Sequence, residues 1–591
     1  MNRGERSRGT RTSRWSAASC ALLATLLMAA GPPEAPLADA AMRGDVAAVQ
    51  GLLSQGADPN IAQGDGMTAL HWAAELGNAE MAGALIKAGA TTEPVTRLGA
   101  YTPLHLAARG GHAEVVRILL DGGASPSAPT TTGAVTPLHF AATGASPEAA
   151  LALLEHGADA DAREARWGQT PLMFAAAAGR SETIDVLLEH GADPNLSAYV
   201  LDMATREAED RADQQRREAA RAAAAPRASA AGSVMTPPQP VSRTDAEPAA
   251  REAAPRSYSQ AELIGGYGGL TALLMAVRDG NTAAALRLLD GGADIDGPSA
   301  GDGTTPLLMA AINGHFDLAL ALIERGADPH TLNDSGAGVL YATINTQWIP
   351  KSRHPQPADY MQQQASYLDV LKVVLDAGVD PNARLVKELW FTTFGGDYLG
   401  VDRMGATPFW RAAYALDVEA MKLLVSYGAD PTVPTMKPVG RRRGDGGEGG
   451  VERQVTDPSG LPPVPDGGPG VFPIHAASGV GYGEGFAANI HRHVPDGWIP
   501  AVRYLVEELG ADVNVRDHNG YNAVHHAAAR GDNELILYLV EKGADPLAVS
   551  RRGQTTVDMA NGPVQRISPF PATIRLLEGL GAKNNHNCVS C

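Results

Sequence analysis

Cysteine is scarce in this chain of 591 residues, which contains only Cys20, Cys588 and Cys591. Cys20 lies in an N-terminal segment, so the folded part of the chain holds the other two. Small proteins that depend on disulfide bonds use cysteine far more densely. The scarcity therefore excludes a fold built on disulfides.

Aromatic residues are also few, at 5% of the chain, although hydrophobic residues make up 44%. Alanine, leucine and valine carry most of that hydrophobic content. Small and aliphatic side chains let helices approach closely, so this balance favours stacked helices. The chain is too long for one compact core, and several domains or one elongated array are expected.

An excess of positive charge is missing, since the formal net charge is −18 at pH 7. A protein that binds the phosphate backbone of nucleic acid needs a basic face. The composition therefore argues against nucleic acid as the partner. The simplest explanation of the negative charge is that it keeps the protein soluble.

Signatures of catalysis are absent from the sequence. No Ser/His/Asp or Cys/His arrangement with a local signature is present. The glycine-rich stretches at 447–450 and 467–470 neither follow a predicted strand nor open a predicted helix, so they do not indicate phosphate binding. We therefore predict that the protein is not an enzyme and carries no cofactor.

One long apolar run exists, at residues 15–30, and it follows a stretch with five arginines and one glutamate. A basic segment, an apolar segment and small residues near Ala29 and Ala30 are typical of a secretory signal. The run is short for a membrane-spanning helix, which needs about 20 residues. We expect 1–35 to be a signal peptide and the protein to be periplasmic or extracellular. The alternative is an N-terminal membrane anchor.

Repetition dominates the remainder of the chain. A mark similar to Gly-Ala-Asp recurs in steps of 33 or 34 residues in the first part of the chain and returns later. Twelve glycines carry the mark: Gly56, Gly89, Gly123, Gly157, Gly191, Gly292, Gly326, Gly378, Gly428, Gly510, Gly543 and Gly581. This count predicts about twelve repeat units.

The clearest unit covers residues 100–133. Thr102 suits a helix N-cap, and Pro103 suits the first helical position, where no backbone donor is needed. Gly111 is predicted to break this helix. Gly123 is predicted to end a second apolar helix, at a position where the backbone takes a positive φ that only glycine adopts without strain. Such a pair of short helices cannot bury both apolar faces alone, so it needs a like pair on each side.

This unit resembles the ankyrin repeat, through Thr102-Pro103-Leu104-His105, Gly111-His112, Gly123-Ala124 and the period. The resemblance implies a mainly α ankyrin-repeat solenoid, with helix-turn-helix units and short β-hairpin loops, in an exported protein of bacterial type. It also implies that the tetrapeptide histidines bond to their own scaffold and are not catalytic. These histidines are His71, His105, His139, His475 and His525.

Departures from the period predict the organisation of the chain. Five repeats are expected at 36–200 and seven at 261–583, with a tail at 584–591. The segment 201–260 is predicted to be a linker. Its charged first half could form a helix, its second half is Pro/Ala-rich, and it either separates two stacks or loops out of one. Long steps place insertions near 345–366, 385–404, 437–470 and 479–498.

Two patterns raise the alternative of metal or redox chemistry. His491 and His493 lie two residues apart in an insertion and could ligate a metal, but no acidic or cysteine partner lies at a recognisable spacing. Cys588 and Cys591 form a C-x-x-C pair. In an exported protein this pair favours a disulfide, with a zinc site that includes His586 as the second interpretation.

The predicted function is non-catalytic binding of a protein or peptide through the concave helix face and the hairpin tips. Exposed tryptophans in the insertions would suit an interface, whereas buried ones would prop the insertions against the stack. The candidate contact residues are Asp65, Leu98, Trp167, Asp302 and Arg551 at the tips, and Trp348, Trp390, Trp410 and Trp498 in the decorated repeats. The alternative is a metal- or redox-active protein with a site built from the later insertions and the C-x-x-C pair.

Overall fold

The computed structural model of the protein describes residues 35–144, 146–224, 259–350, 357–389, 400–439, 457–482, 491–562 and 568–588. Internal contacts divide the chain into unit 1, Met1–Pro194, and unit 2, Asn195–Cys591. Each unit is a stack of helix pairs. We number the pairs as repeats 1 to 12 along the chain and call the first helix of each pair inner and the second outer.

The described residues of unit 1 form five helix pairs. The inner helices are α1 Pro36–Met42, α3 Ala69–Glu75, α5 Pro103–Gly110, α7 Pro137–Thr143 and α9 Pro171–Ala177. The outer helices are α2 Val46–Ser54, α4 Ala79–Lys87, α6 Ala113–Asp121, α8 Pro147–Glu155 and α10 Ser181–Glu189. Inner helices pack on inner helices and outer on outer along the stack, so each pair buries its apolar faces against its neighbours.

Seven helix pairs lie in the part of unit 2 that the structure describes. The inner helices are α13 Ala272–Arg278, α15 Pro306–Asn313, α17 Val339–Gln347, α19 Pro408–Tyr414, α21 Pro473–Ser478, α23 Ala523–Arg530 and α25 Thr556–Ala560. The outer helices are α14 Thr282–Asp290, α16 Phe316–Glu324, α18 Tyr367–Asp376, α20 Val418–Ser426, α22 Trp498–Arg503, α24 Asn533–Glu541 and α26 Pro571–Gly579. A 3-10 turn at Asp359–Gln362 precedes α18, and a π-helical turn at Tyr504–Glu508 extends α22. The predicted ankyrin-repeat solenoid of about twelve units is confirmed.

Helix α5 shows why these residues form this unit. Thr102 precedes it in an extended conformation, and Pro103 occupies its first turn, as predicted. Gly111 ends the helix with φ +68°, a left-handed conformation that costs glycine little. The local rules of capping and termination therefore account for its length.

The tetrapeptide histidines of unit 1 join neighbouring repeats. His71 accepts the backbone N–H of Thr68 at Nδ1 and donates from Nε2 to the carbonyl oxygen of Tyr101 at 3.0 Å. His105 and His139 make the same bonds to the next hairpins, at 3.3 and 3.1 Å. Burial lowers the pKa of His105 to about 4, so the ring stays neutral near pH 7. The predicted structural role of these histidines is confirmed.

The segment predicted as a linker leaves and re-enters unit 2 through one hairpin. Strand β1, Val200–Asp202, pairs antiparallel with β2, Gly266–Gly268, and places Leu201 opposite Tyr267. Between them lie α11, Met203–Ala224, and the short α12, Gln260–Ile264. Helix α11 is exposed and carries ion pairs one turn apart, such as Arg206 with Asp210. Residues 225–258 lie outside the described range.

The four insertions occupy two different places in their repeats. Those near 385–404 and 437–470 lie in hairpins that precede an inner helix. Those near 345–366 and 479–498 lie between an inner helix and its outer helix. The insertion near 385–404 meets inner helices, and the one near 437–470 bonds to the hairpin of repeat 12. The other two meet the turn that follows α19.

The hairpin insertion of repeat 9 packs across the inner helices of unit 2. Leu385, Leu389 and Val401 of this insertion share one buried cluster with side chains of three inner helices. The partners on and next to those helices include Tyr341, Trp410, Tyr414, Ala476 and Val480, all 5% exposed or less. The insertion thus fills the surface that a short hairpin would leave open.

Among the residues that the structure describes, no helix is both long enough and apolar enough to cross a membrane. The predicted signal segment lies before this range.

Candidate functional site

A groove of about 800 Å³ lies on unit 1, where the hairpins that precede α3 and α5 stand beside those two helices. Its apolar lining consists of Met67, Trp72, Leu98, Tyr101 and Leu106, and its charged lining consists of Asp65, Glu75, Arg97 and Arg109. Two predicted contact residues, Asp65 and Leu98, therefore meet in the same groove.

Leu98 is the most exposed large hydrophobic residue in the described part of the chain, at 85%. It lies at a hairpin tip, where the chain turns through Gly99 with φ +81°. Trp72 is partly buried at the groove floor, and its indole Nε1 donates to Gln63 Oε1 at 2.8 Å. Because this internal bond satisfies the polar edge of the indole, what Trp72 offers a ligand is apolar surface.

The charged groups of the groove largely compensate one another. Arg109 donates to both carboxylate oxygens of Glu75, at 2.7 and 3.0 Å. Arg97 donates to the carbonyl oxygen of Gly64 at 2.8 Å, and the Asp65 carboxylate accepts from the backbone of Met67 at 3.0 Å. Two acids and two arginines give the groove no net formal charge, in a chain whose net charge is −18.

The groove lies on a longer row of large side chains. Trp72, Leu106, Phe140 and Phe174 each follow the N-cap of an inner helix by four residues, and they recur every 34 residues. We call these four residues the inner-helix stripe. Leu106 is buried at the groove floor, and the three aromatic residues are partly exposed. Phe140 and Phe174 make edge-to-face contacts with His105 and His139, with ring centroids 5.9 and 5.2 Å apart.

Sequence reasoning missed this stripe. Its signal was present as a large apolar residue directly after the tetrapeptide in four consecutive repeats. The predicted binding residues lie instead at hairpin tips and in the decorated repeats, which contain most of the tryptophans. The stripe can be found by comparing the residue at one inner-helix position across consecutive repeats.

The side chains at the equivalent positions in unit 2 are mostly buried. Met309 is partly exposed, whereas the other six side chains are 3% exposed or less. These six are Met275, Ala342, Arg411, Ala476, His526 and Met559. The inner-helix row of unit 2 therefore offers a partner far less apolar surface than the stripe of unit 1.

The structure corrects the prediction that Trp410 contacts a partner. Its side chain is 0% exposed, stacks on Tyr414 and donates from Nε1 to the carbonyl oxygen of Val471 at 2.8 Å. Trp410 stands where other repeats carry the tetrapeptide histidine, after Thr407 and Pro408, and it bonds to the next hairpin as those histidines do. The prediction of Trp410 as a contact residue is wrong, because the interior of the stack holds its ring.

Trp348 and Trp498 hold their insertions against the stack. Trp348 donates from Nε1 to the buried carboxylate of Asp417 at 2.8 Å, and Tyr367 donates to the same oxygen at 2.7 Å. The Arg530 guanidinium lies 3.2 Å from the ring centroid of Trp498. Both tryptophans match the propping interpretation. Trp390 lies outside the described residues.

The remaining hairpin-tip candidates are engaged within their own units. The guanidinium of Arg166 lies 5.4 Å from the Trp167 ring centroid. Asp302 accepts hydrogen bonds from the backbone and hydroxyl of Thr304, at 3.1 and 2.9 Å. Arg551 is bonded to the hairpin insertion of repeat 10. None of these three lines the groove of unit 1.

His491 does not fit the predicted metal site. Its Nε2 donates to the carbonyl oxygen of Tyr414 at 2.9 Å, and its Nδ1 accepts from the Tyr482 hydroxyl at 3.3 Å. Burial lowers the pKa of His491 to about 3. Because both ring nitrogens are occupied, the prediction of His491 as a ligand is wrong. His493 instead pairs with the carbonyl of Val494, at 2.9 Å from Nδ1.

In the described ranges, no group of three or more histidine, cysteine or acidic side chains is arranged to hold a metal. Cys588 is disulfide-bonded, so its sulfur is not available as a thiolate ligand. Cys591 lies outside the described residues, and its pairing with Cys588 stays a prediction. The tail before Cys588 packs on α25, where the Asp558 carboxylate accepts from the backbone of Asn585 at 3.2 Å.

Comparisons with known proteins agree with this architecture. A family model described as "Ankyrin repeats (3 copies)" matches residues 37–130, 123–198 and 253–333, and one described as "Ankyrin repeats (many copies)" matches 501–560. Together the matches cover roughly half of the chain.

A segment of 53 residues is similar to the Notch-regulated ankyrin repeat-containing protein of three vertebrates. The identity is 38% for the proteins of Xenopus tropicalis and Homo sapiens and 41% for that of Xenopus laevis. The segment is 9% of this chain and 46% of each relative, so the chain spans about half the length of these relatives.

Proposed function

Because this chain belongs to the ankyrin-repeat family, we propose that it is a non-catalytic scaffold that binds a protein or peptide on unit 1. The observation that carries the proposal is the groove of about 800 Å³ in which Leu98, 85% exposed, stands beside Trp72 and Tyr101. Contiguous exposed apolar surface on a soluble protein marks an interaction site. Ankyrin repeats generally mediate protein–protein interaction.

Preorganisation supports this function. The groove walls are held by backbone and side-chain bonds, such as Arg97 N–H to the carbonyl of Asp65 at 2.8 Å and the Trp72 indole to Gln63. A surface that is ordered before binding loses little conformational entropy on association. Covering a leucine side chain contributes about 1.5–3 kcal/mol, so Leu98 and its neighbours are an adequate anchor.

The insertions of unit 2 favour unit 1 as the binding surface. Leu385, Leu389 and Val401 already cover inner-helix surface in unit 2, which leaves the stripe of unit 1 as the more open row. The metal- or redox-active alternative has less support, because both nitrogens of His491 are hydrogen-bonded. The order of basic and apolar residues in 1–35 supports binding outside the cytoplasm, or at a membrane to which that segment anchors the protein.

Photo-crosslinking from one position tests the proposal. A photoreactive amino acid replaces Leu98 in the full chain, and a second variant carries it at Leu537, which is 51% exposed on α24 of unit 2. We expect a discrete crosslinked partner from position 98 that position 537 does not capture. The same products from both positions, or none from position 98, would contradict a binding site on unit 1.

A further inference from the structure

We propose that the stripe binds a polyproline II segment of the partner, with proline or another apolar residue at every third position. This inference rests on the proposed function, because it specifies the ligand of the same surface. It follows from the spacing of the stripe, from its aromatic character and from its charge.

The spacing comes from the stacking of the repeats. The stripe contributes one side chain from each of α3, α5, α7 and α9, and consecutive inner helices pack directly on one another. Packed helices lie about 8–10 Å apart. The stripe therefore places one large apolar side chain roughly every 9 Å over four repeats, with the three rings partly exposed and Leu106 at the groove floor.

A polyproline II helix matches this spacing. It has three residues per turn and a rise of about 3.1 Å per residue, so every third residue returns to the same face after about 9.3 Å. Across three steps of the stripe, the accumulated mismatch is about 1 Å. Each successive turn of the ligand therefore meets the next stripe residue.

Other regular conformations match less well. An extended strand returns to one face every second residue, after about 6.6–6.8 Å, which falls short of one repeat. An α-helix returns to nearly the same face after seven residues, or about 10.5 Å. This repeat lies just above the range of helix spacings, so across three steps the helix drifts from the stripe by about 4–5 Å at a spacing of about 9 Å and by about 1.5 Å at about 10 Å.

The chemistry of the stripe agrees with the spacing. Three of its four residues are aromatic, and Tyr101 adds a further ring that lies 5.8 Å from Phe140 between centroids. Proline-rich segments dock in aromatic-lined grooves, and their preformed helix reduces the entropy lost on binding. The Glu75–Arg109 pair and the absence of net charge in the groove favour an uncharged ligand.

Peptide length gives a direct test. Fluorescein-labelled peptides with proline at positions one, four, seven and ten span the four stripe residues in about ten residues. Binding to the full chain is measured by anisotropy, beside a peptide of identical composition with proline at alternate positions and a helix-forming peptide with leucine every seventh residue. We expect the first peptide to bind best, with affinity that rises at each added proline up to four and then levels.

Variants locate the binding. Leu98→Ala and Phe174→Ala should each weaken binding about tenfold, whereas Leu537→Ala should not change it. Phe174→Ala should also remove the gain from the fourth proline, an effect that general destabilisation would not produce. Circular dichroism of each variant checks that the fold is retained.

The possible failures are distinguishable. Equal binding of the alternate-proline peptide, or stronger binding of the helix-forming peptide, would overturn the polyproline inference and leave the proposed function in place. Absence of peptide binding while position 98 still crosslinks a partner would do the same. Absence of both would overturn the proposed function as well.

Discussion

The two units use the same repeat in opposite ways. In unit 1 the hairpins are short, and Trp72, Phe140 and Phe174 remain partly exposed on the inner helices. In unit 2 most of the equivalent row is buried, and Ala476 of that row shares a buried cluster with Leu385 and Val401 of a longer hairpin. In repeat 9 a longer hairpin therefore occupies inner-helix surface that would otherwise be available to a partner.

The units also differ in how their repeats are linked. Stability in a linear array is largely a sum of contacts between neighbouring repeats. In unit 2, Arg551 on the hairpin of repeat 12 bonds to Asp457 and to the carbonyl of Pro462, both on the hairpin of repeat 10. A link that skips one repeat makes the repeats it joins unfold together.

The largest effect is expected for Trp410→Ala in unit 2. Removing this buried ring leaves a cavity and removes one of the two hydrogen bonds that the Val471 carbonyl accepts, and we expect the free energy of unfolding to fall by about 3–5 kcal/mol. Trp72→Ala in unit 1 should cost less than half as much, because its ring is partly exposed. Urea unfolding of the full chain, followed by circular dichroism, measures both. Equal losses would show that the filled surface of unit 2 adds no stability.

Acid should destabilise both units through their buried histidines. Burial lowers the pKa of His105 in unit 1 and of His475 in unit 2 to about 4, whereas an unfolded histidine titrates near 6.5. Below about pH 6.5 the unfolded chain binds more protons, so stability is greatest above that pH and falls as the pH drops towards 4.

Each such histidine should lower the free energy of unfolding by about 1.4 kcal/mol for each unit that the pH falls within this window. Urea midpoints from about pH 7.5 to about pH 5 measure the slope. His475→Gln should reduce the slope, since it removes one titrating group. A midpoint that does not change over this range would contradict neutral buried histidines.

Arg551→Ala tests the link that skips a repeat. We expect the free energy of unfolding to fall by about 1–3 kcal/mol, because the variant removes the charged hydrogen bonds from Arg551 to Asp457 and to backbone carbonyls. Amide hydrogen exchange in α25 should become faster. Arg552→Ala is the matched control, since that side chain is exposed. If both variants exchange alike, the link contributes nothing to repeat 12.

The smallest effect is a gain, from Asp161→Asn in unit 1. At the equivalent position, Asn60 accepts the backbone N–H of Thr91 at 2.8 Å and donates to the carbonyl of Gly89 at 3.2 Å. Asp161 accepts the N–H of Asp193 at 3.0 Å, but a carboxylate has no N–H for the equivalent carbonyl of Gly191. The amide of Asp161→Asn should raise the free energy of unfolding by about 0.5–1 kcal/mol at pH 7.

The gain should depend on pH. Burial, with Asp193 and Asp159 nearby, raises the pKa of Asp161, so its ionisation destabilises the folded state as the pH rises through that pKa. The melting temperature of Asp161→Asn should therefore exceed that of the natural chain more at pH 7 than at pH 4. Asp296 of unit 2 accepts the backbone N–H of Asp328 at 2.8 Å in the equivalent position, so Asp296→Asn should also raise the melting temperature at pH 7. No gain in either variant would show that the missing donor is replaced by water.

Much of the fold could be predicted from local patterns. The 34-residue period, Thr102 with Pro103, and the glycine after each helix pair specify where helices begin and end. The role of His105 follows from its place in the tetrapeptide. The candidate site was predicted in part, since Asp65 and Leu98 line the groove whereas Trp410 is buried. The exposure of a tryptophan could not be predicted, because it depends on which distant segment packs over it.

The amino-acid sequence alone determined the repeat, its caps and turns, the number of helix pairs and the positions of the insertions. These features depend on hydrogen bonds and packing within one or two neighbouring repeats, which a local pattern records. The tertiary structure decided that Leu385, Leu389 and Val401 pack against three inner helices of unit 2 and that the stripe of unit 1 stays more open. Those outcomes depend on contacts between residues far apart in the chain, and no local pattern specifies them.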